Sequence, residues 1–178
     1  RFMMACQSRG AYPAKFNGGN FTFDYKGKNG DYRTWGLGYW YQNCRLYYWP
    51  LSVSGDFDLK KPWFDMYLNM LPLQTDITRI YYWGWNNKGK ASQTRWIRYH
   101  YSGALEMLSE MLDSYNYTKD EAFARRYIIP FATQVIRFFN QHWPQINQTL
   151  RFIPANAIEQ FWDCLNPMDY IAGLKYNI

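Results

Sequence analysis

The stretch that decides the fold is SGALEMLSEMLDSYNYTKDEAFARRYIIPFATQVIRFF, residues 102–139. Its apolar residues recur at intervals of three and four over residues 104–115, and again over residues 123–139. This spacing places them along one face of a helix, as is typical of helices that pack against a core. The stretch therefore predicts two amphipathic helices joined by a short turn.

Caps and prolines predict where helices begin and bend. Thr118 and Glu121 have the T-x-x-E spacing of a capping box, which predicts that the second helix starts there. Pro130 predicts a kink in that helix, because proline lacks an N–H and crowds the preceding turn. Two further helices are predicted to begin with Pro62 and Pro167 in their first turns, where the missing N–H costs nothing.

The remaining segments complete the prediction of an all-α fold. Residues 37–53 are apolar nearly all round, which predicts a buried inner helix or an irregular buried segment. Only residues 150–153 are a strand candidate. Loop lengths then indicate how the helices are arranged.

Short and long connections alternate along the chain. The connections at residues 54–58 and 116–119 are short, whereas those at residues 83–101 and 143–166 run to about twenty residues, well above the usual length. If short turns join helical hairpins at one end, every long loop lies at the other end. The pattern predicts a helical toroid or solenoid with long, aromatic-rich loops forming a pocket on one face.

Composition excludes several classes of function. The net charge is +6, yet Lys and Arg are scattered along the chain, so we expect no nucleic-acid partner. No apolar run approaches the ~18 residues of a membrane span. Three cysteines without a C-x-x-C motif and only two histidines support neither a metal site nor a Ser-His-Asp triad. We therefore expect no cofactor.

Four segments resemble, in the same order, the catalytic (α/α)6 domain of the inverting α-L-fucosidases of glycoside hydrolase family 95. They are RFMMACQSRGAYPAKFNGGNF (residues 1–21), YQNCRLYYWP (41–50), the stretch at 102–139 and IPANAIEQFWDCLNPMDYIAGL (153–174). The chain is still more similar to a related bacterial group of the Bacteroidetes type. The resemblance covers nearly the whole chain, and the order of the segments adds to its specificity.

The resemblance implies roles for individual residues. Glu159 stands where the fucosidases have the Glu of an S-P-E-N segment, which is their general acid. Asn43 stands where they have the second Asn of an N-x-N pair that positions the attacking water. Tyr41 replaces the first Asn of that pair, a departure that bears on fucose specificity and on water activation. The Asp that polarises the water in those enzymes is expected downstream of Ile178.

The resemblance also implies a larger context. A complete toroid of this class has more helices than this chain supplies, so residues 1–178 are expected to be the N-terminal part of one catalytic domain. The rest of the same chain would then be needed to close the toroid. The implied substrate is an oligosaccharide or polysaccharide of plant or host origin, and the implied location is periplasmic or secreted.

The chemistry of glycoside hydrolysis suits Glu159. Inversion needs an acid that protonates the leaving oxygen and a base that activates water on the opposite face of the sugar. Ile158, Phe161 and Trp162 are apolar neighbours in sequence that would raise the pKa of such an acid by desolvation. The alternative for Glu159 is a solvated loop carboxylate or a helix cap.

Other residues are candidates for substrate contact because of their side-chain chemistry. Aromatic faces suit the C–H faces of pyranoses, and guanidinium or carboxylate groups suit sugar hydroxyls. Arg45 can also match a uronate carboxylate or pair with a nearby acid, and Asn43 can be a buried amide that bonds loop backbone. The predicted substrate-binding residues are Tyr41, Arg45, Trp49, His100, Trp162 and Asp163. Trp40, Trp83, Trp85 and Trp96 are further aromatics of the expected pocket face.

Two other functions remain open at this point. A non-catalytic glycan-binding relative is favoured if Tyr41 has dismantled the water site. A toroid uronate lyase would use a tyrosine close to Asn43 and Arg45 for β-elimination, and Tyr41 is the candidate. Asp56 and Asp58 resemble a catalytic carboxylate pair, but their predicted place in a short turn favours helix capping.

Overall fold

A computed structural model describes residues 1–15, 24–29, 38–80, 99–157 and 160–178 of the protein. Helix makes up 64% of the structure and strand 9%, so the chain is largely all-α as predicted. It divides into two compact units, residues Arg1–Asn69 (unit 1) and Met70–Ile178 (unit 2). No helix in the described ranges is both long and apolar enough to cross a lipid bilayer.

The described residues contain seven α-helices and four short strands. The helices are α1 (Phe2–Gln7), α2 (Tyr41–Val53), α3 (Lys61–Ile80), α4 (Ser102–Thr118), α5 (Glu121–Phe123), α6 (Ile129–His142) and α7 (Met168–Asn177). The strands are β1 (Gln145–Ile146), β2 (Thr149–Leu150), β3 (Ala155–Ala157) and β4 (Phe161–Cys164). A 3-10 turn precedes α3 and a π-helical turn precedes α6.

Unit 1 is built around one face of α2. Cys44, Tyr48 and Leu51 recur at helical spacing and are buried. They share the interior with Trp63 of α3, which is fully buried. Pro62 lies in the first turn of α3, as predicted.

The opposite face of α2 is not buried. Leu46, Trp49 and Val53 are exposed although they are apolar. The prediction that this segment is buried all round is therefore wrong, because only one face of α2 meets the core. Exposed apolar residues at this spacing are indistinguishable from core residues in the sequence alone.

Buried hydroxyl groups tie α1 to the rest of unit 1. Ser8 Oγ donates to the carbonyl oxygen of Leu59 at 2.7 Å. Because that bond uses the only proton of the serine hydroxyl, Tyr48 Oη donates to Ser8 Oγ at 2.9 Å. Tyr48 Oη also accepts from the backbone N–H of Ala14 at 2.6 Å. The hydroxyl of Tyr48 thus forms hydrogen bonds with two earlier positions of the chain, Ser8 and Ala14.

The acidic pair after α2 forms ion pairs, and neither residue makes a helix cap through its side chain. Asp56 is buried, and its Oδ1 lies 2.7 Å from Arg1 Nη2. Asp58 Oδ2 lies 3.0 Å from Arg9 Nη2. Asp56 precedes the 3-10 turn Phe57–Lys60 but makes no side-chain bond to that turn. Asp56 thus occupies the N-cap position of the 3-10 turn, as the capping prediction implies, but its side chain makes no capping bond, and Asp58 lies within the turn.

Unit 2 is organised by the packing of α7 on α4. Gly173 approaches Leu105 so closely that a Cβ added at Gly173 would lie 2.9 Å from the Leu105 Cβ. Asn177 Nδ2 donates to the carbonyl oxygens of Leu105 at 2.9 Å and of Gly173 at 2.8 Å. The pair of helices predicted by the stretch at 102–139 is confirmed, with α4 and α6 as its members.

The turn between those helices differs in detail from the prediction. Asp120 is the N-cap, and its Oδ1 accepts from the backbone N–H groups of Ala122 at 2.9 Å and Phe123 at 3.1 Å. Thr118 belongs to the end of α4, so the capping box is wrong. Carboxylates outrank threonine as N-caps, which explains the shift by two residues. The π-helical turn Ala124–Ile128 lies just before Pro130, where a regular turn would crowd the proline ring.

The segment predicted as one long loop at residues 143–166 contains two hairpins. Strands β1 and β2 pair antiparallel, and so do β3 and β4, with Ala157 opposite Phe161 and Ala155 opposite Cys164. The strand predicted at residues 150–153 overlaps β2 only at Leu150. These strands are too short to show the alternation by which strands are recognised.

Candidate functional site

The predicted site residues fall into both units. Tyr41, Asn43, Arg45 and Trp49 belong to α2 in unit 1. In unit 2, His100 lies two residues before the start of α4, whereas Trp162 and Asp163 lie on β4. Glu159 and Ile158 lie outside the described residues, as do Trp83, Trp85 and Trp96.

Three of the predicted substrate-binding residues meet on one face of α2. Tyr41, Arg45 and Trp49 are spaced by four, so their side chains stack along the helix. The Cζ atom of Arg45 lies 5.9 Å from the ring centroid of Tyr41 and 5.0 Å from that of Trp49. Both distances suit cation–π attraction, which holds the guanidinium between the two rings. We call Tyr41, Arg45 and Trp49 the α2 ladder.

The first residue of the ladder is also part of the packing of unit 1. The Tyr41 ring stacks on Trp63 with centroids 5.6 Å apart and planes 12° apart. The Tyr48 ring also stacks on Trp63, with centroids 4.7 Å apart and planes 3° apart. Tyr67 meets the edges of this stack, with its centroid 5.7 Å from that of Tyr41. The ring of Tyr41 is therefore engaged by protein, and its predicted contact with substrate stays a prediction.

Asn43 does not belong to the ladder. It is two residues from Arg45, and two residues correspond to about 200° around a helix axis. The half-buried Asn43 side chain therefore leaves α2 on a different side from the guanidinium. Its backbone N–H donates to Trp40 O at 3.0 Å in the first turn. The structure thus does not bring Asn43 and Arg45 together around one point.

In unit 2, a fully buried amide side chain braces the β3–β4 hairpin. Asn156 Oδ1 accepts from the backbone N–H of Asp163 at 3.0 Å. The backbone N–H of Asn156 donates to the carbonyl oxygen of Tyr99 at 3.0 Å. Asn156 is 0% exposed, so its side of both bonds is shielded from water. We call this arrangement the Asn156 brace.

A tyrosine hydroxyl extends the brace to α7. Tyr170 Oη donates to the carbonyl oxygen of Tyr99 and accepts from the backbone N–H of Tyr101 at 2.9 Å. Burial raises the pKa of Tyr170, so its hydroxyl keeps the proton that the first bond requires. His100 lies between the two anchored residues. The structure therefore brings His100 into the same braced region as Asp163.

The hairpin presents aromatic side chains to solvent. Phe161 is 59% exposed and Trp162 is 42% exposed. Asp163 has φ +53°, a left-handed conformation that few residues other than Gly, Asn and Asp adopt. The pairing of β3 with β4 is irregular between Ala155 and Ala157, and there the Asn156 amide oxygen accepts the Asp163 N–H. The backbone that carries Trp162 and Asp163 is thus held by a hydrogen bond to the buried Asn156 side chain.

Burial limits the acid–base chemistry that other side chains can perform. It raises the pKa of the Cys44 thiol to about 12, which leaves no thiolate nucleophile there near neutral pH. It also raises the pKa of Tyr101 to about 12. Burial lowers the pKa of His142, which is packed among Phe138, Tyr101 and Trp143 rings. In the described ranges, no group of three or more His, Cys, Asp or Glu side chains is placed to hold a metal ion.

The residues of the brace were not predicted from the sequence. Tyr99, Asn156 and Tyr170 fix the hairpin, yet none was singled out as important. The one available signal was Asn156 itself, an amide between two alanines in the apolar run IPANAI. A polar residue that is buried in such a run must find partners, and here those partners are backbone groups.

Comparison with known proteins adds no neighbour. No family model, curated protein or solved structure matches the chain.

Proposed function

We propose that the protein is an inverting glycoside hydrolase that acts from the end of a plant or host glycan, with Glu159 as the general acid. The proposal includes the (α/α)6 toroid, of which this chain would form the N-terminal part. It also includes a periplasmic or secreted location, because the substrate is polymeric. No cofactor is required for this chemistry.

The observation that supports the proposal most directly is the Asn156 brace. Glu159 follows β3 by two residues and precedes β4 by two residues, so both of its flanks belong to the braced hairpin. A general acid must be held within hydrogen-bonding distance of the glycosidic oxygen, and small displacements reduce the rate strongly. The buried Asn156 amide links the two strands that flank Glu159 in the chain, and this link supports the proposal.

The resemblance gives Asn43 of α2 the role of orienting the attacking water. An amide such as that of Asn43 can orient a water molecule but cannot accept its proton, so a carboxylate elsewhere must be the base. The resemblance to the fucosidases implies that this carboxylate lies downstream of Ile178. The α2 ladder supplies an exposed indole, Trp49, next to a guanidinium, which are groups that suit sugar rings and their hydroxyls.

The experiment that tests the proposal replaces Glu159 by Gln in the full-length protein. Substrates are a panel of fucosylated, galactosylated and uronate-containing oligosaccharides, together with the glycosyl fluoride of the sugar that is released. Loss of a general acid lowers kcat/KM on an oligosaccharide by at least about 100-fold. The fluoride should be much less affected, because fluoride leaves without strong protonation. The anomer of the first product, followed by NMR, reports inversion.

A matched control is Glu121→Gln. Glu121 is exposed, and its Oε1 accepts from Tyr115 Oη at 2.8 Å, a bond that glutamine can keep. Glu121 lies beyond the C-terminal end of α4, whereas Tyr99, which is bonded to Asn156 of the hairpin, precedes the N-terminal end. The 17 residues of α4 separate these two ends by about 25 Å. We expect unchanged kinetics for Glu121→Gln. Equal activity of wild type and Glu159→Gln on oligosaccharides would contradict the proposal.

A glycan-binding protein without hydrolysis is the second candidate, and the packing of Tyr41 favours it. Tyr41 occupies the position of a water-positioning Asn, and its ring stacks on Trp63. If this packing has removed the water site, the full-length protein binds oligosaccharides and releases no sugar. The lyase alternative has less support, because Asn43 and Arg45 leave α2 on different sides. A lyase would give an unsaturated product that absorbs in the near ultraviolet.

A further inference from the structure

One indole of the braced hairpin has the exposure expected of a ring that stacks on a ligand. A stacking ring offers one face to the ligand and rests the other on protein, and Trp162 is 42% exposed. Phe161 is more open, at 59% exposure. Because successive side chains of a strand point to opposite faces, a single sugar ring can stack on Trp162 or on Phe161 but not on both.

The backbone that carries Trp162 is fixed on both sides. Before it, Phe161 pairs with Ala157 of β3. After it, the N–H of Asp163 is bonded to the buried Asn156 side chain. An aromatic ring on such a backbone loses little conformational freedom when a ligand binds, which favours affinity.

The place of Trp162 in the chain limits which sugar it can meet. It lies three positions after Glu159, and three residues span at most about 11 Å. An acid that protonates the glycosidic oxygen lies at the junction between the sugar that is released and the group that leaves. An exposed ring within this reach suits the sugar on the leaving-group side, because an enzyme that acts from the chain end encloses the sugar that it releases.

We propose that Trp162 is the stacking platform for the leaving-group sugar, so that the substrates are oligosaccharides in which a pyranose leaves. This inference rests on the proposed function and makes it more specific. The indole face covers the C–H face of the pyranose. Glycosides of small alcohols lack the second ring and gain nothing from Trp162.

The test compares two substrates in the full-length protein. One is the best oligosaccharide of the panel, and the other is the methyl glycoside of the sugar that it releases. Both have poor leaving groups and need the same proton, so their ratio of kcat/KM values reports the second ring alone. We expect Trp162→Ala to lower kcat/KM for the oligosaccharide about 10- to 100-fold and to change that for the methyl glycoside little.

Phe161→Ala is the matched control. It removes an exposed aromatic ring from the opposite face of the same strand, so any general effect on the hairpin or on Glu159 alters both substrates alike. We expect the ratio of the two kcat/KM values to be unchanged. A ratio that Trp162→Ala leaves unchanged, or that Phe161→Ala changes instead, overturns the platform.

A binding measurement separates this inference from the proposed function. Calorimetric titration of Glu159→Gln with the oligosaccharide gives Kd without turnover, and adding Trp162→Ala should raise Kd about 10- to 100-fold. A wild-type protein that binds the oligosaccharide but releases no sugar contradicts hydrolysis alone. A Kd that Trp162→Ala leaves unchanged contradicts the platform alone.

Discussion

Helix α2 in unit 1 and the β3–β4 hairpin in unit 2 both contain residues of the kinds that bind sugars, but they use them differently. In α2, Tyr41, Arg45 and Trp49 contact one another through rings and guanidinium. In the hairpin, the polar side chain of Asn156 bonds to backbone, while the aromatic side chain of Trp162 stands at the surface.

The difference follows from where each backbone finds its hydrogen bonds. A helix satisfies its interior N–H and C=O groups by itself, so side chains along it can pack against their neighbours four residues away. A two-stranded hairpin with an irregular residue such as Asp163 leaves backbone groups without ladder partners. A buried side chain must then complete the bonding. Residue type alone therefore does not show whether a polar side chain packs against its neighbours or completes the hydrogen bonds of the backbone. The second role is expected where backbone groups lack partners in a helix or sheet.

The largest expected effect concerns packing in unit 1. Trp63→Ala removes the fully buried ring between Tyr41 and Tyr48, and we expect a loss of about 3–5 kcal/mol in the free energy of unfolding. Trp49→Ala, which removes an exposed ring of the ladder, should cost only about 1 kcal/mol. Chemical denaturation of the full-length protein followed by circular dichroism gives both values. Similar losses for the two variants would show that the ladder is as important for packing as the stack.

A smaller effect is expected in the hairpin. Asn156→Ala leaves the partly buried N–H of Asp163 without its acceptor, which should cost about 1–3 kcal/mol. The same change should raise the hydrogen-exchange rate of the Asp163 amide, measured by NMR. Asn140→Ala, which removes an exposed amide bonded to Gln145 Nε2, should change stability by at most about 0.5 kcal/mol. An unchanged exchange rate at Asp163 would mean that the brace does not fix the hairpin.

Helices were predictable from the sequence because their signal repeats over many residues. The stripe of Leu105, Leu108 and Met111 marks α4 several times over, and these three residues are buried as predicted. The buried face also extends to residues outside the predicted stripe, namely Met107, Glu110 and Ser114. The start of the next helix was missed because Asp120 competes with Thr118 for the cap, and a single residue decides it. Caps are local choices between near-equal options, so their prediction is less certain than that of the helix itself.

The hairpins and the brace could not be predicted in the same way. Strands of two to four residues carry no periodic signal. Their irregular residues, Asn147, Gln148, Asp163 and Asn166, all have positive φ, which sequence reveals only as a preference of Asn and Asp for turns. The partners of Asn156 depend on tertiary contacts with Tyr99, far away in the chain. Glu159 and its neighbours were singled out by resemblance, and that role stays a prediction.

The smallest expected effect is a pH dependence in unit 2. Burial lowers the pKa of His142 below its unfolded value, so the unfolded chain takes up a proton at a higher pH than the folded protein does. Stability from this group is complete above the unfolded pKa of about 6.5 and falls as the pH decreases toward the folded pKa. Denaturation of wild type and His142→Gln at pH 7.5 and 5.5 isolates this contribution. The variant should lose less stability on acidification than the wild type, and an equal loss would contradict the predicted titration.

The Asn156 brace, in which Tyr99 takes part, also affects the expected order of folding. The Tyr99 carbonyl oxygen accepts from Tyr170 Oη, a residue 71 positions further along the chain. Contacts between such distant positions require a large loop to close, and they form slowly compared with helical turns. We expect α4 and α6 to form early and the hairpin to be fixed only when α7 has docked on α4. The segment on either side of Glu159 would then be among the last parts of unit 2 to reach its native shape.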